Sequence, residues 1–324
     1  MNKGNQNSNS LIRTLAPIFV VLAAIFWGIL VVFVRAFGKA EFASMEIVTL
    51  RVYSSAIFAW IFKTIIDRES QPGKKQTKST HQIRKSFRLK DSWCFVGTGL
   101  VSIVFFSFCY FRNVEVSSAA VAAILMYTSP IFVTLLSAIF FKEKFTKGKL
   151  LALILAIIGC ALVSGIAGGV GQVSPLGIML GLGSGIGYAL YSIFGRFALD
   201  KGYSPFMVTA LTFSFACVGV LPFIDIAGFV ARLIEEPQYI LLALVMGLVG
   251  SFLPFALYTL GLRYMEAGKA AILATLEPIV TALVGTFLYK EPIDVFIVVG
   301  IVMVLAAGIL CTACPKQPTA TVDN

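Results

Sequence analysis

Two ionisable residues, Arg51 and Glu277, lie inside long apolar stretches of the sequence. If these stretches cross a membrane, a charge costs at least ~2.5–3.5 kcal/mol on insertion scales, so each residue calls for a compensating role. Arg51 could recognise an anion or a carboxylate, or its side chain could extend to the outer interface. Glu277 could exchange a proton, pair with a cationic solute, or hold a neighbouring helix by a hydrogen bond.

Aromatic residues with a polar group recur in the same apolar stretches. Their hydroxyl or indole N–H groups need partners when they are buried in hydrocarbon. A cavity lined by them suits planar or cationic solutes through stacking and cation–π contacts, although each could instead fill a helix–helix contact. The candidates for a solute pathway are Trp27, Arg51, Tyr110, Tyr127, Tyr188, Tyr191, Tyr258 and Glu277.

Two prolines, Pro130 and Pro278, stand in the middle of predicted spans. Each removes one backbone hydrogen bond and is expected to kink its helix. The freed carbonyl groups could face a cavity, or the kinks could serve helix packing alone.

The sequence carries no motif of an enzyme or of an ATP-driven pump. A glycine-rich phosphate loop followed by Lys-Ser or Lys-Thr is missing, so ATP does not drive this chain directly. The single histidine, His81, lies in a basic segment, and no catalytic triad, carboxylate pair or metal-ligand cluster can be assembled. We therefore expect no catalytic residue, no metal and no cofactor.

The apolar stretches predict an all-α integral membrane protein. Hydrophobic residues make up 58% of the chain and charged residues 13%, which is about half the charged share of soluble proteins. A membrane helix needs ~20 apolar residues. Ten segments meet that need: 16–37, 45–66, 93–111, 119–141, 150–166, 176–199, 205–226, 239–262, 269–289 and 293–313.

The positive charge is placed as a membrane protein requires. The formal net charge of +10 could suggest nucleic acid, but the Lys and Arg residues concentrate on alternate connections between the apolar segments. This asymmetry predicts a multi-pass protein of the cytoplasmic membrane with both termini in the cytoplasm, and no nucleic-acid partner. The basic loop 67–91 is expected to set topology as a flexible linker, with lipid binding or regulation as the alternative.

An internal repeat relates the two halves of the chain. Residues 122–143 align without a gap with residues 270–291, and the same frame places Tyr110 opposite Tyr258. A second match places Trp27, Gly28 and Arg35 opposite Tyr188, Ala189 and Arg196. Because the unit contains five spans, the second copy enters the membrane from the opposite side, and a shared cavity is expected near the midplane.

The repeat sets the predicted domain boundaries. We expect a cytoplasmic tail at 1–15, a first five-helix repeat at 16–166, a glycine-rich linker at 167–174, a second five-helix repeat at 175–314 and a second cytoplasmic tail at 315–324.

Arg35 and Arg196 lie near the ends of their predicted spans. We interpret both as anchors in the membrane interface.

The motifs of both halves resemble the ten-helix EamA-type branch of the drug/metabolite transporter superfamily. They are Trp27-Gly28, Arg35, Arg51, Ser129-Pro130, Lys142–Lys144, Tyr188–Arg196, Leu276–Pro278 and Lys290-Glu291. The resemblance implies a secondary transporter, with export as the expected direction, for metabolites such as amino acids or amines. Its expected partners are the solute, membrane lipid and a proton as candidate coupling ion, in a monomer or homodimer. The alternative is a membrane-embedded enzyme or a lipid scramblase.

Overall fold

The structure, a computed structural model, describes residues 3–69, 86–165 and 174–313. Within these ranges the chain is helical and contains no β-strand. Most of the predicted basic loop with His81, nearly all of the predicted 167–174 linker and the 315–324 tail lie outside the described residues.

Eleven helices are formed by the described residues. They are α1 (Lys3–Lys39), α2 (Ser44–Glu69), α3 (Leu89–Val116), α4 (Ala119–Phe141), α5 (Lys147–Val163), α6 (Pro175–Asp200), α7 (Pro205–Phe223), α8 (Ile226–Glu235), α9 (Gln238–Tyr264), α10 (Ala267–Tyr289) and α11 (Val295–Ala313). Nine of these are long and apolar enough to cross a membrane, and α5, with 17 residues, completes the ten predicted spans. The predicted all-α membrane fold is confirmed.

The short helix α8 was not expected from the sequence. It begins after Asp225, whose carboxylate accepts hydrogen bonds from the N–H groups of Ala227 and Gly228. This is an N-cap, which satisfies donors that have no partner inside the helix. The segment between α7 and α9 is therefore an ordered surface helix.

Helices α4 and α10 are broken at equivalent positions. The first consists of Ala119–Met126 and Ser129–Phe141, and the second of Ala267–Ala274 and Glu277–Tyr289. In each helix the proline lies in the first turn of the second half, where its missing N–H costs no internal hydrogen bond. The kink expected at Pro130 and Pro278 is thus a break into two half-helices.

Helices α3 and α9, which are also equivalent in the repeat, each contain a π-helical segment. These segments are Gly97–Phe105 and Leu248–Phe252. Widened turns of this kind are rare and occur frequently at functional sites. The sequence carried no sign of them.

Helix pairing shows the inverted symmetry directly. Helix α1 packs on α9 and α10, and its equivalent α6 packs on α3 and α4, while α2 packs on its own equivalent α7 and α5 on α11. The α5–α11 pair is close because a Cβ at Gly300 would lie only 2.7 Å from the Gly159 carbonyl oxygen. The two five-helix repeats therefore interlock, and each contributes helices to one central region.

Candidate solute site

A cavity of about 520 Å³ lies between the two repeats. All eight solute-pathway candidates are on its wall: Trp27, Arg51, Tyr110, Tyr127, Tyr188, Tyr191, Tyr258 and Glu277. Pro278 also lines the cavity, at the break of α10, whereas Pro130 does not. Helices from both repeats thus bring together residues that are far apart in the sequence.

Arg51 lies on the cavity wall and has few hydrogen-bond partners. Its Nη2 donates a 3.4 Å hydrogen bond to Ser107 Oγ, and its buried Nε has no hydrogen-bond partner. Within the described residues, no carboxylate oxygen lies within 4.0 Å of the guanidinium. The side chain therefore faces the interior cavity and does not extend to an interface with lipid.

Glu277 is the first residue of the second half of α10. A carboxylate is stabilised there by the partial positive charge of the half-helix N-terminus. The Tyr188 hydroxyl donates to its Oε2 over 3.2 Å. No Lys or Arg nitrogen of the described residues lies within 4.0 Å of its oxygens. Arg51 and Glu277 thus share one cavity without forming an ion pair.

Trp27 forms the centre of an aromatic wall. Its ring packs edge-on against Phe255 at 5.2 Å and Tyr188 at 6.2 Å, and lies tilted to Tyr258 at 5.4 Å. Aromatic pairs at these separations hold each other in fixed orientations. The wall is therefore a rigid apolar surface for a solute.

The polar ends of four of the aromatic residues divide into two groups. The Tyr191 hydroxyl lies 2.7 Å from Thr259 Oγ1, and the Tyr258 hydroxyl lies 2.7 Å from Ser192 Oγ. In the described part of the chain, no hydrogen bond satisfies the indole N–H of Trp27 or the hydroxyl of Tyr110. The first group braces the wall, and the second group offers donors to the cavity.

Gly28 allows α1 to approach the break in α10. A Cβ at this position would lie 2.8 Å from the Glu277 carbonyl oxygen and 2.5 Å from Val280 Cβ. No side chain fits at that distance. The Trp27-Gly28 pair therefore places an aromatic ring and a helix contact next to the same cavity.

One end of the cavity is open. Arg35 and Glu291 line it there, form a 2.6 Å ion pair, and have side chains that are 37% and 48% exposed. The Arg35 guanidinium also stacks over the Tyr289 ring at 4.4 Å. Arg35 is therefore part of the cavity mouth, and its interpretation as an interfacial anchor stays a prediction. We call this side of the molecule the open end.

The opposite side, where the basic connections between helices lie, is closed. Glu143 and Lys149 form a buried 2.9 Å ion pair, and Glu266 joins it at 3.2 Å from Lys149. Between this network and the cavity lies a packed apolar cluster that includes Val133 and Leu262. We call this side the basic end.

Arg196 also lies at the basic end, where it holds helices together. Its Nη1 donates to the carbonyl oxygens of Leu262 and Met265 at 3.2 and 3.1 Å, at the end of α9. Its Nε pairs with Asp200 at 3.0 Å. Arg196 therefore makes a contact between α6 and α9, and its expected role as an interfacial anchor stays a prediction.

Comparisons with known proteins agree with this architecture. The model of the EamA-like transporter family matches residues 14–165 and 175–313. An uncharacterized transporter of Archaeoglobus fulgidus is 30% identical over 206 residues, which cover 62% of this chain and 69% of the relative. The uncharacterized transporter YyaM of Bacillus subtilis is 26% identical over 247 residues, covering 74% and 79%. A solved crystal structure with 13% identity superposes with a TM-score of 0.70 over 92% of this chain and 96% of the other, which shows the shared fold.

Proposed function

Because the chain belongs to the EamA-like transporter family, we propose that it is a secondary transporter of small organic zwitterions, such as amino acids or related amines that carry a carboxylate. It works by alternating access around the central cavity. The two ranges that match the family are the two units that rock against each other. Both ranges consist mainly of helices that are predicted to cross the membrane.

One observation supports this choice of solute above others. Arg51 and Glu277 line the same cavity, and neither has a partner of opposite charge within 4.0 Å among the described residues. Charges that are removed from water need a partner. A solute with a carboxylate for Arg51 and an ammonium group for Glu277 would supply both partners. Its apolar part would rest on the aromatic wall of Trp27 and Phe255.

The membrane orientation follows from charge. The basic end carries the Lys-rich connections and is placed in the cytoplasm, and the open end is placed outside. In this assignment the structure is the outward-open state in the cytoplasmic membrane. The proposed direction of net solute transport is outward. Transport measured separately in vesicles that hold the protein in one orientation or the other tests this direction.

A membrane-embedded enzyme or a lipid scramblase is the competing proposal. An enzyme would turn over its substrate in detergent, without sealed compartments or a gradient. A scramblase would move labelled lipid between leaflets. The proposed transporter does neither and requires a sealed vesicle for its effect.

The deciding experiment uses the full chain in sealed liposomes. Vesicles loaded with unlabelled amino acids are diluted into labelled amino acid, and exchange is measured with and without protein. We expect protein-dependent exchange that Glu277→Gln impairs for a zwitterion. Glu235→Gln, on the exposed side of α8, is the matched control and should retain exchange. If no zwitterion exchanges in vesicles that hold folded protein, the proposal is overturned.

A further inference from the structure

Two equivalent glutamates lie in different environments at the two ends of the molecule. Glu143 follows α4 and Glu291 follows α10, at matching positions of the gapless repeat alignment. The Glu143 side chain is 8% exposed, and the Glu291 side chain is 48% exposed. The same residue type at equivalent positions is therefore buried at the basic end and half exposed at the open end.

Glu143 joins the end of α4 to the beginning of α10. Its carboxylate accepts hydrogen bonds from the backbone N–H groups of Ala267 at 2.7 Å and Gly268 at 3.2 Å. These N–H groups are at the N-terminus of α10, where they have no partner within the helix and where the helix dipole favours a negative charge. The contact holds the basic end shut.

The equivalent contact at the open end is not made. The residues that correspond to Ala267 and Gly268 are Ala119 and Ala120, at the N-terminus of α4, and both line the cavity. In the described part of the chain, no hydrogen bond reaches either of their N–H groups. The Glu291 carboxylate instead pairs with Arg35. Ser118 caps the N–H of Val121 in the same helix turn, so the two N–H groups that correspond to those bound by Glu143 are the ones left without a hydrogen bond.

Arg196 and Arg35, which are equivalent in the repeat, also have different partners at the two ends. At the basic end, Arg196 donates to the carbonyl groups that end α9 and lies 5.9 Å from the Phe141 ring. At the open end, Arg35 lies over Tyr289, the residue equivalent to Phe141. Arg35 lies nearer to its ring, at 4.4 Å, and it pairs with Glu291 and not with the end of α3.

We propose that Glu143 and Glu291 are alternating latches, each of which caps the broken helix of the other repeat when its own end of the cavity closes. When the open end closes, Glu291 leaves Arg35 and binds the N–H groups of Ala119 and Ala120. Arg35 then turns to the carbonyl groups of Val114 and Ser117. At the same time Glu143 releases α10. This inference rests on the proposed alternating access.

The latches are unequal in one respect. Lys149 adds ion pairs to Glu143 and Glu266 at the basic end, and the residue equivalent to Lys149 is Ile297. The open end therefore lacks a cation that corresponds to Lys149. This difference favours closure of the basic end over closure of the open end, and the basic end is the closed one in this structure.

A pair of equivalent cysteine reporters can measure the latches. Thr281 lines the cavity, and its equivalent Val133 is 1% exposed at the basic end. Thr281→Cys and Val133→Cys are introduced separately into full-length protein that lacks its native cysteines, and their modification by a thiol reagent is timed. Glu143→Gln should accelerate modification at position 133 and slow it at position 281, and Glu291→Gln should do the reverse. We expect changes of roughly tenfold, because each substitution weakens charge-assisted hydrogen bonds.

The control is Glu115→Gln, which removes an exposed carboxylate at the open end and should move neither reporter. Reciprocal changes in the two latch variants support the proposal. Changes in the same direction, or none, overturn it. Because these rates do not depend on the identity of the solute, they remain informative if amino-acid exchange fails, and exchange without reciprocal rates rejects the latches alone.

A second measurement leaves Glu143 intact, so it does not depend on the folding of Glu143→Gln. An Ala120→Cys, Pro292→Cys pair corresponds to Gly268 and Lys144, which adjoin the closed latch at the basic end. Oxidation should join this pair during transport and trap the open end shut, and Glu291→Gln should slow the reaction. A pair that never cross-links while solute exchange proceeds would overturn the proposal.

Discussion

The Tyr188 hydroxyl donates a hydrogen bond to the Glu277 carboxylate over 3.2 Å, at the break in α10. The Tyr188 ring also packs edge-on against Trp27 and Phe106, which belong to the other repeat. One side chain therefore couples the carboxylate to an aromatic wall that both repeats build. A movement between the repeats would change the surroundings of Glu277 through this contact.

The first prediction is that Tyr188→Phe weakens binding of an ammonium group. The substitution keeps the ring contacts and removes the hydroxyl that orients the carboxylate. We expect KM to rise roughly tenfold or less, as for the loss of one hydrogen bond to a charged group, with little change in thermal stability. Tyr53→Phe is the control, because the Tyr53 hydroxyl is hydrogen-bonded to Cys217 outside the cavity. Equal effects of the two variants on KM would contradict the prediction.

The second prediction separates the two charges of the solute. Arg51→Gln should raise KM for a zwitterion by about tenfold or more, because a charge-assisted hydrogen bond to its carboxylate is lost. It should affect an amine without a carboxylate much less. Competition assays in liposomes with the two solutes measure the difference. Arg112→Gln, which changes an exposed arginine at the end of α3, serves as the control. A uniform loss for both solutes would assign Arg51 to structure.

The third prediction concerns helix packing at Gly28. Gly28→Ala places a Cβ 2.8 Å from the Glu277 carbonyl oxygen, so α1 must move away from α10. We expect a destabilisation of ~1–3 kcal/mol, as for other overpacked sites, and a lower Tm of the purified protein. Gly38→Ala lies on the same helix with nothing within 4 Å and should leave Tm unchanged. Equal Tm values for the two variants would show that the close approach is not required.

The fourth prediction is the topology. A cysteine at Thr80 should be protected from an impermeant reagent added outside intact cells, and one at Ile293 should react, because the Lys and Arg asymmetry places the basic end in the cytoplasm. Ile293 is 42% exposed in the connection that follows α10. Permeabilised cells provide the control in which both positions react. The opposite pattern in intact cells would reverse the proposed orientation.

Much of the fold could be predicted because hydropathy and the repeat act over whole segments. The predicted fourth span begins and ends where α4 does, at Ala119 and Phe141. The gapless alignment also relates the breaks of α4 and α10, although Pro130 and Pro278 alone indicated only kinks. The helix α8 was missed because the hydropathy criterion favours long apolar segments, although the cap at Asp225 could have indicated it.

The contacts of the cavity mouth could not be predicted in the same way. Arg35 stands near a span end, and the positive charge there looks the same whether the side chain faces lipid or a cavity. Its partner Glu291 is 256 residues away, so only tertiary packing brings them together. The π-helical segments of α3 and α9 have no residue signature and depend on the packing of the helices around them. The roles of the eight cavity residues stay predictions.

The last prediction concerns Glu277, which lies at the break of α10 and differs in charge from its equivalent in α4. Its equivalent is Ser129, which is also followed by proline, so the repeat explains the shape of the break but not the carboxylate. A carboxyl group that faces the cavity and has no cation within 4.0 Å among the described residues could carry a proton from one side to the other. Glu277→Gln keeps the size and most hydrogen bonding but removes the charge.

If Glu277 couples transport to protons, Glu277→Gln abolishes uptake that is driven by a pH gradient, while exchange of one labelled solute for another survives. The solute for this assay is an acid without an ammonium group, so that loss of the charge does not remove a binding partner. Glu235→Gln, a carboxylate on the exposed side of α8, should retain both activities. Uptake and exchange are measured in the same liposome preparation, so that protein content cancels. Full gradient-driven uptake in Glu277→Gln would exclude this residue from proton coupling and leave it the role of binding the ammonium group.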